Sequence, residues 1–86
     1  MFYVYMLYSK DYDEFYLGST SDLKRRYEQH INGLNQSTKK YKDLKLVYYE
    51  AYLTEQSARQ REANLKRSGK AYTSLKQRIR ESFETI

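Results

Sequence analysis

Five side chains in this sequence carry the chemistry of a hydrolytic site. Arg26 and His30, the chain's single histidine, stand four residues apart in the stretch Ser19–Gly33, neighbours one turn up the same helix face. Glu62 lies between Ala58 and Leu65 at helical spacing, on an inward stripe. Tyr5 and Tyr16 come from two aromatic runs near the start. Each has a plainer reading. A helical arginine is more often solvated, and a lone helical histidine is more often a hydrogen-bonded structural residue. With eleven tyrosines, any one of them is more often core than catalyst. A carboxylate on an inward stripe needs either an ion pair, here with Arg59, Arg61 or Lys66, or a metal.

As a set, the five match the needs of phosphodiester cleavage: a water nucleophile, a group to take its proton, and stabilised charge on phosphate and leaving oxygen. Arg26 can clamp non-bridging oxygens. Glu62 can hold one Mg²⁺, a hard ion that keeps several waters, neutralises charge and acidifies bound water. A tyrosine beside them can move protons once its pKa is brought down from about 10. No second carboxylate stands close in sequence, so a two-metal site is not expected.

The elements that must position these residues read in order. Phe2–Tyr8 is a continuous aromatic and β-branched run, a strand covered on both faces. Ser9–Glu14 turns the chain, and Phe15–Gly18 returns as the hairpin partner, with Gly18 placed where the backbone swings into the first helix. Tyr5 and Tyr16 share a face if they pair directly or lie two positions apart. Thr20, Ser21 and Asp22 can cap the first helix, and Gly33 supplies a left-handed exit. Leu23, Tyr27, Ile31 and Leu34 mark its buried stripe, with Arg26 and His30 beside it. After a polar loop to Tyr41, Leu44–Tyr52 is the third strand. Thr54 caps a second helix, Glu55–Arg67, closed by Gly69, and Ala71–Phe83 is a third with Tyr72, Leu75, Ile79 and Phe83 inward. The order β-β-α-β-α-α predicts an α+β fold, a three-stranded antiparallel sheet flanked by three helices, in one domain over 1–86.

Composition narrows the partners. The net charge is +5 and the pI about 9.4, which points to a polyanion. Arg59, Arg61, Lys66, Arg67, Lys70, Lys76, Arg78 and Arg80 face Glu62 alone, and Lys39, Lys40, Lys42 and Lys45 form a second basic group. Acid gathers instead at Asp11, Asp13 and Glu14. Such a split favours one basic face, with Lys39, Lys40, Arg61, Arg67 and Lys70 as the nucleic-acid contacts. The absence of cysteine excludes a disulfide framework, a thiol nucleophile and zinc-finger spacing. Met1–Tyr8 is too short for a signal peptide, and no apolar run approaches the roughly 20 residues of a membrane helix. The expected address is the cytoplasm.

These residues resemble the GIY-YIG nuclease superfamily over nearly the whole chain. The family's Gly-Ile-Tyr and Tyr-Ile-Gly tripeptides have counterparts in Tyr3-Val4-Tyr5 and Tyr16-Leu17-Gly18. Its helical Arg and His correspond to Arg26 and His30, and its metal-binding Glu to Glu62 in Arg61–Lys66. Ser37-Thr38-Lys39 and Leu46–Glu50 look like the small single-domain bacterial branch. The tripeptides alone mean little in so tyrosine-rich a chain; the ordered set Tyr5, Tyr16, Gly18, Arg26, His30, Glu62 carries the resemblance. Tyr3 stands for the family's glycine, Val4 and Leu17 for isoleucines, and the late Asn of some members has no counterpart.

The resemblance implies an endonuclease acting on nucleic acid, DNA first, with one Mg²⁺ or Mn²⁺ per site. Tyr5 would be the base or would orient the water, and Tyr16 and His30 would support proton movement. Arg26 would stabilise transition-state charge, Glu62 would bind the metal, and Gly18 would be structural. No added DNA-reading module is evident, so low sequence specificity and structure selectivity are expected. A homodimer would pair two sites to cut both strands. The alternative is a non-catalytic nucleic-acid-binding module on the same scaffold, and a third reading is a protein-interaction domain with an incidental basic face.

Overall fold

The aromatic run at the start becomes the middle of the sheet. In the computed structural model, which describes residues 1–85, β1 (Phe2–Ser9) is hydrogen-bonded on one side to β2 (Glu14–Thr20) and on the other to β3 (Lys45–Tyr52), both antiparallel. Alternate residues of β1 serve two cores. Val4 and Met6 pack with Leu17, Ala58, Leu65, Leu75 and Ile79 under α2 (Glu55–Arg67), α3 (Gly69–Arg78) and α4 (Arg80–Glu84). Tyr5 and Leu7 pack with Leu44, Tyr16, Leu23 and Tyr27 under α1 (Leu23–Ile31). A central strand with no solvated face has no use for polar alternation, which is why none appears in its sequence.

Register fixes the faces. Tyr5 pairs with Gly18 and Leu7 with Tyr16, so Tyr5 and Tyr16 lie two positions apart on one face. A bulge opposite Met6 and Leu7 leaves Val47 unpaired in β3, and Val47 and Tyr48 both pack on the α2 side.

Four departures from the sequence reading have physical causes. First, α1 does not bury Ile31 and Leu34, which are 51% and 73% exposed; its one fully buried residue is His30. The helix is rotated toward the histidine because both ring nitrogens find partners inside, so its burial leaves no polar atom unpaired. Second, β2 runs on to Thr20, and Gly18 lies within it. Third, Gly69 does not close α2 but opens α3. Ser68 ends one helix and caps the other, its side chain accepting from the Ala71 N–H. Fourth, the expected third helix is two. Ile79 leaves helical geometry at φ −104°, ψ 14°, which re-aims α4 so that Phe83 reaches the rings of Tyr8 and Phe15.

The caps otherwise follow the local chemistry. Asp22 accepts from the Arg25 N–H at 3.1 Å to start α1, and Gly33 leaves it at φ +72°. Thr54 accepts from the Ser57 N–H at 3.1 Å to start α2 over the predicted span.

Candidate active site

Gly18 lies within the edge strand β2, directly opposite Tyr5, and the Tyr5 ring lies across it. A Cβ at this position would stand 2.6 Å from the Tyr5 hydroxyl and 2.7 Å from Cζ. The missing side chain is therefore the space through which Tyr5 passes, and the crowding expected at Gly18 comes from this ring and not from the entry to the helix.

Tyr5, fully buried, meets His30, also fully buried: Oη to Nε2 is 2.8 Å. The other ring nitrogen, Nδ1, is 2.7 Å from Oγ1 of Thr38, a third buried residue, on the 3₁₀ turn Gln36–Thr38. Tyr16 closes the cluster, its ring centroid 4.9 Å from the imidazole and 6.3 Å from the Tyr5 ring. Burial pushes the Tyr5 phenol well above its ordinary 10.0; Tyr16 adds to this and the adjacent Arg26 guanidinium pulls it back. Burial and then Arg26 hold His30 below its ordinary 6.5, so the imidazole is neutral near pH 7.

Arg26 leaves α1 beside these groups and lines a cleft of about 180 Å³ with Ser19, Thr20, Ser21, Glu55 and Arg59, between the end of β2, the start of α1 and α2. Glu62 approaches from α2. Its Oε1 accepts from Ser19 Oγ at 2.7 Å and its Oε2 pairs with Lys66 Nζ at 2.7 Å. Partial burial alone would raise the Glu62 carboxyl, but the Lys66 and Ser19 contacts outweigh it and leave the group below 4.5. Of the ion pairs anticipated for Glu62, the one with Lys66 forms. Tyr5, Tyr16, Arg26 and His30 are thus brought together from three elements, and Glu62, from a fourth, joins through Ser19 at the end of β2.

The donor set suits a hydrated cation rather than an all-protein cage. Among the described residues no three His, Cys, Asp or Glu side chains gather as ligands. One ionised carboxylate with a neighbouring hydroxyl fits a Mg²⁺ that keeps waters and shares substrate phosphate oxygens. Lys66, 55% exposed, occupies the second carboxylate oxygen and has room to swing aside.

The predicted nucleic-acid contacts divide. Lys39, Arg67 and Lys70 are exposed and make no ion pair among the described residues. Lys40 pairs with Glu14 at 3.3 Å and stands over the Tyr12 and Tyr41 rings. Arg61 is held inward by Glu50, Nε to Oε1 at 3.0 Å and Nη2 to Oε2 at 3.0 Å. Glu50 also accepts from Tyr48 Oη at 2.5 Å and from Tyr52 Oη. Sequence reasoning missed both Glu50 and Thr38. The signal for Glu50 was its alternation with Tyr48 and Tyr52, which puts three polar tips on one face of β3; Thr38 stood out only within the segment Ser37-Thr38-Lys39 that resembles the small family branch, with no sign of its partner.

Comparison with known proteins identifies the family. A family model described as the GIY-YIG catalytic domain matches residues 1–78. The solution NMR structure of a UPF0213 protein from Bacillus halodurans is similar at a TM-score of 0.52 with 30% identity, covering 88% of this chain and 86% of that one. No curated protein matches. With its β-β-α-β-α order, its tyrosines on adjoining strands and its Arg and His one turn apart on α1, the chain belongs to the GIY-YIG catalytic-domain family of nucleases.

Proposed function

We propose that this chain is a divalent-metal-dependent endonuclease that hydrolyses DNA phosphodiester bonds with low sequence specificity and a preference set by DNA structure. The observation that carries the reading is a polar cleft whose Arg26 stands beside the buried Tyr5–His30 pair and whose Ser19 is held by the ionised carboxylate of Glu62. In this reading Arg26 binds the non-bridging oxygens and meets the charge that grows on them in the transition state. Tyr5, buried in the substrate-free protein, takes the attacking water's proton once substrate and its water reach it, and His30 and Tyr16 behind it support proton movement. Glu62 holds one Mg²⁺ or Mn²⁺, which supplies charge neutralisation at the phosphate when bound. Ser19 fixes the carboxylate's direction.

Low specificity follows from the kind of contact available. Lys39, Arg67 and Lys70 reach phosphates, which position a duplex without reading it. Two copies would pair their sites to cut both strands, and the cytoplasm is the compartment we assign; no helix among the described residues is long and apolar enough to cross a membrane. A second reading, a binding module without catalysis, draws on Lys66, whose ammonium sits on the carboxylate the metal needs.

Cleavage of labelled duplex, single-stranded, flap and four-way-junction DNA with Mg²⁺, Mn²⁺ or chelator separates the two. Metal-dependent cutting by the wild type, lost by at least about a hundredfold in Glu62→Gln with binding retained, is the expected result. Equal binding by both proteins and cutting by neither would favour the binding module.

A further inference from the structure

The buried hydroxyl of Thr38 has no part in the reading above, yet it lies against the ring that meets Tyr5. Tyr5 lies fully inside the protein, so its phenolic proton must have an acceptor there. A neutral imidazole accepts at one nitrogen only, and of the two buried hydroxyls on this ring the Tyr5 phenol is the stronger acid and the better donor. The acceptor among the described residues is His30 Nε2, 2.8 Å away. A neutral imidazole that accepts at Nε2 carries its proton on Nδ1, and Nδ1 lies 2.7 Å from Thr38 Oγ1. Thr38 is itself held rigidly. Its N–H donates to the Asn35 carbonyl at 3.2 Å, its carbonyl accepts from the Tyr41 N–H at 3.1 Å, and its side chain is fully buried.

We propose that Thr38 is a positioning residue that, by accepting the His30 Nδ1 proton, holds the imidazole in the tautomer whose bare Nε2 receives the Tyr5 proton, so that the base of this site is the Tyr5–His30 pair. The inference rests on the nuclease reading for its catalytic consequence, but not for its geometry. In the step it describes, water gives a proton to Tyr5 Oη as Tyr5 passes its own to His30 Nε2. The water oxygen bonds to phosphorus and the bond to the leaving sugar oxygen breaks. That oxygen takes a proton from solvent, and the imidazolium later returns one to solvent. Tyr5 is never left as a free phenolate, a species its buried position makes costly. In the opposite tautomer Nε2 would carry a hydrogen and could not accept, so the relay would stop at Tyr5.

The test reads the ring directly. This chain has one histidine, so two-bond ¹⁵N–¹H correlation spectra of the substrate-free protein show one imidazole. The expected wild-type spectrum has the protonated nitrogen at Nδ1. Thr38→Ser should keep that tautomer and cleave DNA within about twofold of wild type, whereas Thr38→Val should lose the single tautomer and lower kcat by about tenfold or more with KM unchanged. A wild-type ring protonated at Nε2 overturns the proposal. So does a Thr38→Val protein with wild-type tautomer and kcat. If Thr38→Val does not fold, the wild-type and Thr38→Ser spectra still decide. If the wild type cleaves nothing under any metal, the nuclease reading fails while the ring spectrum still settles the tautomer.

Discussion

Gly18 and Tyr5 are fitted to each other at atomic distance. A methyl at residue 18 would meet the Tyr5 hydroxyl at 2.6 Å, and the ring cannot retreat because it is fully buried. Gly18→Ala should therefore push Tyr5 off His30, destabilise the fold by about 1–3 kcal/mol and remove cleavage, which denaturant melts and DNA assays would register. The histidine adds a pH dependence whose sign follows from its environment. Burial, then Arg26, lowers its folded pKa below the ordinary 6.5, while Tyr5, Tyr16 and Thr38 around it carry no positive charge. Below 6.5 the unfolded chain binds the proton more readily, so stability should fall as the pH drops through this region. Cleavage should show an acid limb with a midpoint below 6.5, set by protonation of the accepting nitrogen. A rate that holds level down to pH 4.5 would contradict a neutral His30 in the mechanism.

Elements reach the site through a few polar struts. Arg61 on α2 is clamped to Glu50 on β3, whose side chain is 15% exposed and also takes two tyrosine hydroxyls. The strut sets how α2 sits on the sheet, and Glu62 is the next residue along. Glu50→Gln should cost about 2–3 kcal/mol, since it leaves Arg61 half-buried and unpaired. It should also lower cleavage without touching the cleft. Urea melts and rate assays on Glu50→Gln, Arg61→Met and the double variant would show coupling if the strut positions Glu62. Burial acts to raise Glu50, but its hydrogen bonds from Arg61, Tyr48 and Tyr52 outweigh this and leave it below 4.5. With Glu62 also lowered, stability supplied by both carboxylates is full above 4.5 and lost as the pH falls through their folded values.

Charge acts over the whole molecule, and the fold divides it into spent and available parts. Arg59, Arg61, Lys66 and Arg80 are ion-paired within the chain, and Lys76 stands over the Phe15 and Tyr72 rings. The net charge of +5 still favours a polyanion, but fewer cations can meet phosphate than the run from Arg59 to Arg80 suggests. Replacing Lys39, Arg67 and Lys70 together by alanine should weaken DNA binding uniformly across sequences and flatten the log K against log salt slope by about 0.9 for each lost phosphate contact. Replacing Arg61 should leave that slope nearly unchanged and show up in stability instead. Titrations at several salt concentrations test both.

Local chemistry was enough to decide much of this protein. The span and cap of α2, the left-handed exit at Gly33, the doubly covered β1 and the strand–helix order follow from capping residues, φ preferences and hydrophobic period, which act within a few residues of chain. The ordered tyrosines, Arg26, His30 and Glu62 were also legible, because their types and helical spacing are properties of the chain itself. Tertiary structure decided the rest. Periodicity placed Ile31 inside and His30 at the margin, yet the helix turns the other way, since only packing could reveal that Tyr5 and Thr38 would satisfy both imidazole nitrogens. Gly18 was expected where the backbone enters α1, and only the register set it under the Tyr5 ring. The roles of Glu50 and Thr38 could not be read, because a buried polar residue is recognised by its partners, and those come from distant parts of the chain.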